Sequence, residues 1–273
     1  MKFTKMNGIG NDYVYINCME NNMPSDIEDL AISLSNRNFG IGSDGIILID
    51  KSDIADFKMN IYNADGSLAM MCGNGIRCVG KYVYDKKLTT KDVITIETLS
   101  GIKTLDLIIE NNICIGAKVD MGAPIFNTND FPKNDINEMS KVTVTINDTD
   151  YELNLVSMGN PHAVTFIENV DDLEIEKIGP MIENLDIFPN RINVEFIEVI
   201  DKDNIKMRVW ERGSGETLAC GTGSCASVVA AHNNNLINSK CNVSLIGGNL
   251  LIDYTEDTVF MSGPATTVFE GEM

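Results

Sequence analysis

Cys72 stands in MMCGNGIRC and Cys220 in LACGTGSC, each followed at once by Gly-x-Gly. These types at this spacing suit proton transfer at carbon. A cysteine at the start of a helix meets unpaired N–H groups and the positive end of the helix dipole, which lower its pKa from about 8.5 toward neutrality. Glycines after it let consecutive amides turn toward one point and form a nest for an anion. A carboxylate held there has its α-carbon beside the sulfur, and the amides stabilise the enolate-like charge that develops as the α-proton leaves. Two such elements, face to face, would let one thiolate take a proton from one side of a carbon while the opposite thiol returns one. That chemistry is stereoinversion by two bases, and it needs two near-equivalent acid–base groups.

Other residues weigh less. A lone cysteine before a helix is most often core, but two in matching glycine contexts are not readily so. Cys78 and Cys225 fall inside the same helices and read as core; Cys18, Cys114 and Cys241 have no constellation around them. His162, in GNPH, could accept a thiol proton or be an ordinary buried imidazole, and Glu211, before RGSG, could act on a thiol or be a solvated carboxylate; the residues leave both open. His232 reads as a helix-end partner or a surface residue. NGIGND lacks the last glycine of a dinucleotide loop, since position 13 is Tyr. With no C-x-x-C pair and two histidines, a metal site is not expected.

The elements that carry the cysteines repeat. At an offset of 148 residues FKMNIYNADGSLAMMCGNG (57–75) lies over IKMRVWERGSGETLACGTG (205–223) without a gap. GNDYVYI (10–16) resembles GNPHAVTFI (159–167), with Asn11 and Asn160 at an offset of 149. So long a period implies two similar domains from an internal duplication rather than a solenoid. The expected halves are 1–118 and 119–262. FKMNIYN and IKMRVWE alternate as strands, and residues 95–122 read as strands broken at Ser-Gly and Asn-Asn turns. Cys72, Ile76, Val79 and Val83 line one face of a helix; CASVVAAH is apolar nearly all round, hence a buried helix that ends at NNN (233–235). The fold class is α+β: two pseudo-symmetric domains, each a curved mixed sheet around a central helix.

The 273 residues suffice for a sizeable core, and 44% hydrophobic with 22% charged residues is ordinary for a globular chain. A net charge of −19 argues against nucleic acid as a partner. No signal-peptide core or long apolar run appears, so no membrane span is expected, and seven cysteines, an odd count, fit a reducing cytoplasm.

With these residues in view, the sequence resembles the diaminopimelate epimerase family, which interconverts L,L- and meso-diaminopimelate without pyridoxal phosphate. The resemblance runs through KMNGIGNDYVYI, RNFGIGSDGIILI, NADGS…MCGNGIRC, MGNPHAV, NRINVEF, ERGSGETLACGTGSCA and GPATTVFEGE. It implies Cys72 and Cys220 as the acid–base pair, no cofactor, and His162 and Glu211 as modulators of the thiol pKa values. It implies substrate contacts at Asn11, Asn63, Asn160, Asn193, Glu211 and Arg212, and at the main-chain nests Gly73-Asn74 and Gly221-Thr222. It further implies a homodimer, with residues 263–273 packing back on the first domain.

Two departures stand out: Gly45 where some members carry Gln, and Leu68 where NADGSEA is frequent. A rival of similar architecture is a racemase of proline or hydroxyproline, whose substrates have no distal amino-acid group for Arg212 and the asparagines to hold. A thiol–disulfide switch of Cys72 with Cys220 reads as a route of inactivation and not as the function, and an anion-binding module using the nests alone gives no reason for both thiols.

Overall fold

The computed structural model describes residues 1–132, 139–255 and 257–273. The chain divides into two compact units, Met1–Asp120 with Ser262–Met273, and Met121–Met261.

In the first unit, β1 (Lys2–Gly8) and β2 (Asn11–Asn17) form an antiparallel hairpin. Its two-residue loop, Ile9-Gly10, has φ of 52° and 91°, as a tight hairpin of this twist requires. β2 then pairs in parallel with β3 (Gly45–Asp50), β3 antiparallel with β4 (Phe57–Asn63), and β4 with the short β5 (Leu68–Ala69). After α2 (Gly73–Asp85) the chain returns as β6 (Val93–Thr98), parallel to β4, and continues antiparallel through β7 (Gly101–Glu110) and β8 (Ile113–Gly122). Asn111 and Asn112 both adopt positive φ, so the Asn-Asn turn legible in the sequence is the β7–β8 hairpin.

Period-two alternation sends side chains of this sheet to two helices. Val14, Ile16, Ile46 and Leu48 pack with Ala31 and Leu34 of α1 (Ile27–Ser35). On the other face, Ile47 meets α2, whose residues from Gly73 to Val83 are all buried. That burial takes in Arg77, which donates to Gly73 O at 3.2 Å and Pro264 O at 3.3 Å. The C-terminal segment carrying Pro264 ends in β18 (Thr266–Glu272), antiparallel to β1.

The second unit adds β9 (Ser140–Ile146) and then follows the same order of pairings. β10 (Thr149–Ser157) is antiparallel to β9 and to β11 (Pro161–Phe166); β11 is parallel to β12 (Asn193–Val199); β12 is antiparallel to β13 (Asn204–Glu211), and β13 to the short β14 (Gly215–Glu216). After α4 (Gly221–Asn233), β15 (Lys240–Leu245) runs parallel to β13 and antiparallel to β16 (Gly248–Tyr254), before β17 (Val259–Pro264). One sheet face, with Ala163, Val194 and Phe196, packs on Ile175 and Ile182 of α3 (Ile175–Glu183). The other meets α4, ten of whose residues are buried.

Helix α3 carries Gly179 and Pro180 in its interior, which argue against helix on propensity alone. Gly179 is there for packing: a Cβ would sit 2.5 Å from Trp210 Cγ. Gly179→Ala is therefore expected to destabilise the unit by about 1–3 kcal/mol despite the better helix propensity of alanine. Trp210 is the single tryptophan, so urea unfolding followed by its fluorescence reports the change directly.

Candidate active site

In the first unit Cys72 is the N-cap of α2: its backbone is extended, and Sγ accepts the Gly75 N–H at 3.3 Å. Sulfur thus takes the place that Ser, Thr, Asn or Asp ordinarily fills. The half-buried thiol donates to Asn11 Oδ1 at 3.2 Å. Asn11 opens β2, and its amide is turned this way because Nδ2 donates to Asp44 Oδ2 at 2.8 Å. Arg37 holds Asp44 at 2.9 Å and Asp12 at 2.7 Å. Gly73 and Asn74 are the first residues of α2. Asn63 ends β4 and its Nδ2 donates to Ser67 Oγ at 3.0 Å, within its own turn.

Gly45 has a structural reason. A Cβ at this position would lie 2.1 Å from the Tyr62 carbonyl oxygen, so the β3–β4 approach in this chain excludes a side chain. Leu68, the other departure, is exposed in β5.

In the second unit Cys220 is the N-cap of α4, with Thr222 Oγ1 3.7 Å from Sγ. Here the outcome differs from the sequence expectation of an acidified thiol. Cys220 is only 6% exposed, and burial pushes its pKa well above the ordinary thiol value. The carboxylates of Glu211 and Glu195 push in the same direction, while the Gly223 amide and Thr222 hydroxyl pull back without prevailing. Desolvation of the thiolate outweighs the helix terminus.

Glu211 closes β13 and accepts a short hydrogen bond from the Thr217 hydroxyl. Burial raises its carboxyl pKa above the ordinary value, assisted by Glu195 and opposed by Thr217, His162 and Cys220. His162 lies on β11, fully buried, with Nδ1 2.6 Å from Glu195 Oε1 and Nε2 3.1 Å from Asn160 Oδ1. Asn193 is occupied at both ends of its amide, Nδ2 donating to Pro161 O at 2.8 Å and Oδ1 accepting from Arg212 N at 3.0 Å. It clamps the loop that presents Arg212. The Arg212 guanidinium is exposed, and Nη1 donates to Asn190 O at 3.1 Å. Gly221 and Thr222 open α4.

Cys78 and Cys225 are wholly buried, and burial holds the Cys78 thiol at about 11, in keeping with core cysteines. His232 lies in the last turn of α4 with its ring against Ile237 O. Among the described residues no group of His, Cys, Asp and Glu is arranged to hold a metal ion. Sequence reasoning missed Asp44 and Glu195. Both sit inside quoted motifs, GIGSDG and NRINVEF, but neither carries a local signal of its contact; only the strand pairing brings them to Asn11 and His162.

The comparisons with known proteins bear on this geometry. The family model described as diaminopimelate epimerase matches residues 3–127 and 154–268. The chain is 53% identical over 278 residues to a diaminopimelate epimerase of Methanococcus maripaludis, covering 100% of this chain and 99% of that one. It is 52% identical over 276 residues to a diaminopimelate epimerase of Acetivibrio thermocellus, covering 100% and 98%. Among solved structures, a hydroxyproline epimerase from Agrobacterium vitis superposes with a TM-score of 0.70 at 14% identity, covering 99% of this chain and 91% of that one. A PhzF-family phenazine biosynthesis protein of Bacillus anthracis gives 0.70 at 16% identity, covering 100% and 98%. These last two share the fold of two mixed-sheet domains. By sequence along nearly its whole length, the chain belongs to the diaminopimelate epimerase family.

Proposed function

We propose that this chain interconverts L,L- and meso-diaminopimelate by taking the proton from one α-carbon and returning one to its opposite face. One observation carries the chemistry: in each of two units a cysteine caps a helix opened by Gly-x-Gly, after strands paired in the same order. Inversion through a carbanion needs a base and an acid of comparable strength on the two faces of the carbon. Two thiols meet that need, and a duplicated unit is the direct way to encode them. The offset of 148 residues between Cys72 and Cys220 and the shared order of pairings support the duplication.

The remaining groups have roles consistent with their positions. The helix-opening amides at Gly73-Asn74 and Gly221-Thr222 suit a substrate carboxylate. The exposed Arg212 guanidinium has donors left for a carboxylate, which a fork of N–H groups grips in two places. Asn11, Asn63 and Asn160 offer both donor and acceptor to amino-acid ends. Asn193 serves the substrate through Arg212. Glu211 and His162 tune the thiols, and burial with two nearby carboxylates keeps Cys220 as the thiol that gives its proton. Diaminopimelate is favoured over proline because the relatives at about half identity are diaminopimelate epimerases, whereas the hydroxyproline epimerase shares only the fold. A homodimer in the cytoplasm belongs to the same reading and rests on the family resemblance alone. Separately, no helix of the described residues is long and apolar enough to cross a membrane.

The reduced protein incubated with L,L-diaminopimelate in D₂O tests the reading, with proton NMR following α-exchange and chiral separation following the meso product. Exchange with inversion is expected; neither, with turnover of proline instead, would overturn it. Cys72→Ser and Cys220→Ser should each lower inversion by roughly 10²–10⁴-fold and spare ligand binding. Arg212→Ala should raise KM for diaminopimelate, read from initial rates.

Glu211 gives a signed prediction for stability. Its folded pKa lies above the ordinary 4.5, so its favourable contribution is full below that pH and is lost as pH rises through the folded value. Glu211→Gln should therefore raise the melting temperature at neutral pH, with the gain vanishing below about pH 4. Activity should fall in the same variant, which calorimetry and turnover together would record.

A further inference from the structure

Glu195 projects from β12 into the interior of the second unit and is fully buried. Its Oε1 meets His162 Nδ1 at 2.6 Å, and its Oε2 has no hydrogen-bond partner among the described residues. A buried carboxylate with one oxygen unsatisfied is costly. Packing does not demand it. In parallel pairing, Val164 opposes Glu195 in the second unit as Tyr15 opposes Ile47 in the first. The contact with the helix also corresponds: a Cβ on Gly223 would lie 2.6 Å from Glu195 Oε1, and a Cβ on Gly75 would lie 2.6 Å from Ile47 Cδ1. The same place in the same pairing order is filled by an aliphatic side chain in one unit and by a carboxylate in the other. The difference between them is the partner, an imidazole.

We infer that Glu195 is a positioning residue for the epimerisation proposed above: by accepting Nδ1–H of His162 it fixes the ring and its tautomer, leaving Nε2 as the nitrogen that gains and loses a proton. Which imidazole nitrogen is protonated is set by the hydrogen bond of the other. Nε2 faces the Asn160 amide at 3.1 Å, and that amide serves either state: its oxygen accepts from Nε2–H, and its NH₂, turned over, donates to bare Nε2. The charged and titratable groups around the pair are Glu211 from β13 and Cys220 from the start of α4, both of which sense Glu195. The hydrogen bond of Glu195 goes to His162, but its charge also bears on Cys220, so the tautomer of His162 is the readout that isolates its positioning role. A carboxylate that orients a proton-transferring imidazole is a known device, whose removal leaves geometry intact while cutting turnover.

The chain has two histidines, so ¹⁵N-histidine labelling of the full protein gives a spectrum simple enough to assign, with His232→Asn identifying the other ring. In the wild type, His162 is expected to carry its proton on Nδ1 when neutral. In Glu195→Gln, which keeps the shape and removes the charge, His162 should populate both tautomers. Its kcat should fall by about tenfold or more with KM within about twofold, and Glu195→Ile should behave likewise. A wild-type His162 with the proton on Nε2 would overturn the inference even if no variant folds. So would a folded Glu195→Gln protein whose tautomer or kcat is unchanged. If the wild type fails to epimerise diaminopimelate, the functional reading falls, whereas the tautomer comparison still reports whether Glu195 holds His162.

Discussion

The structure depends on how closely a helix can approach a sheet where a thiol must stand. At Gly75 and Gly223 the backbone of the first helical turn comes so near to Ile47 and Glu195 that a Cβ would overlap at 2.6 Å. The capping cysteine at the start of that turn meets Asn11 of β2 in one unit and Glu211 of β13 in the other. In α2 the Gly75 N–H donates to the capping sulfur. A Cβ at either glycine would force the tip of a buried side chain, Ile47 Cδ1 or Glu195 Oε1, to move, so the last glycine of each Gly-x-Gly serves the packing of its helix on the strand beneath.

The two thiols are alike in position and unlike in surroundings. Cys72 is half-buried, donates to Asn11 Oδ1 and accepts the Gly75 N–H. Cys220 is closed off from water and has Glu211 and Glu195 nearby. The asymmetry arises in part from single residues placed on a common frame: Glu195 where the first unit has Ile47, and Glu211 where it has Asn63.

Much of this frame was legible in the sequence because it is written in short-range patterns. The strands at 57–63 and 204–211 alternate, the Asn-Asn turn has its expected positive φ, and both helices begin at their cysteines. Helix α3 was not legible, because Gly179 and Pro180 oppose it locally and only Trp210, 31 residues on, explains the glycine. The protonation of Cys220 could not be read either. A helix start lowers a thiol pKa and burial raises it, and burial is a property of the whole unit. Glu195 and Asp44 went unnoticed for the same reason: each acts across a strand pairing that no local period encodes.

The return of Ser262–Met273 to the first unit means that the second unit is an insertion within the first. During synthesis the first 120 residues leave the ribosome without β18, which pairs with β1, and without Pro264, which accepts from the buried Arg77. At ordinary elongation rates the missing strand follows after roughly 8–30 s. For that interval β1 presents an open edge, the kind of surface on which nascent chains pair with one another. The interposed unit, whose own strands and helices lie in one continuous stretch, can finish first. The order in which the halves mature is then the reverse of the order in which they begin.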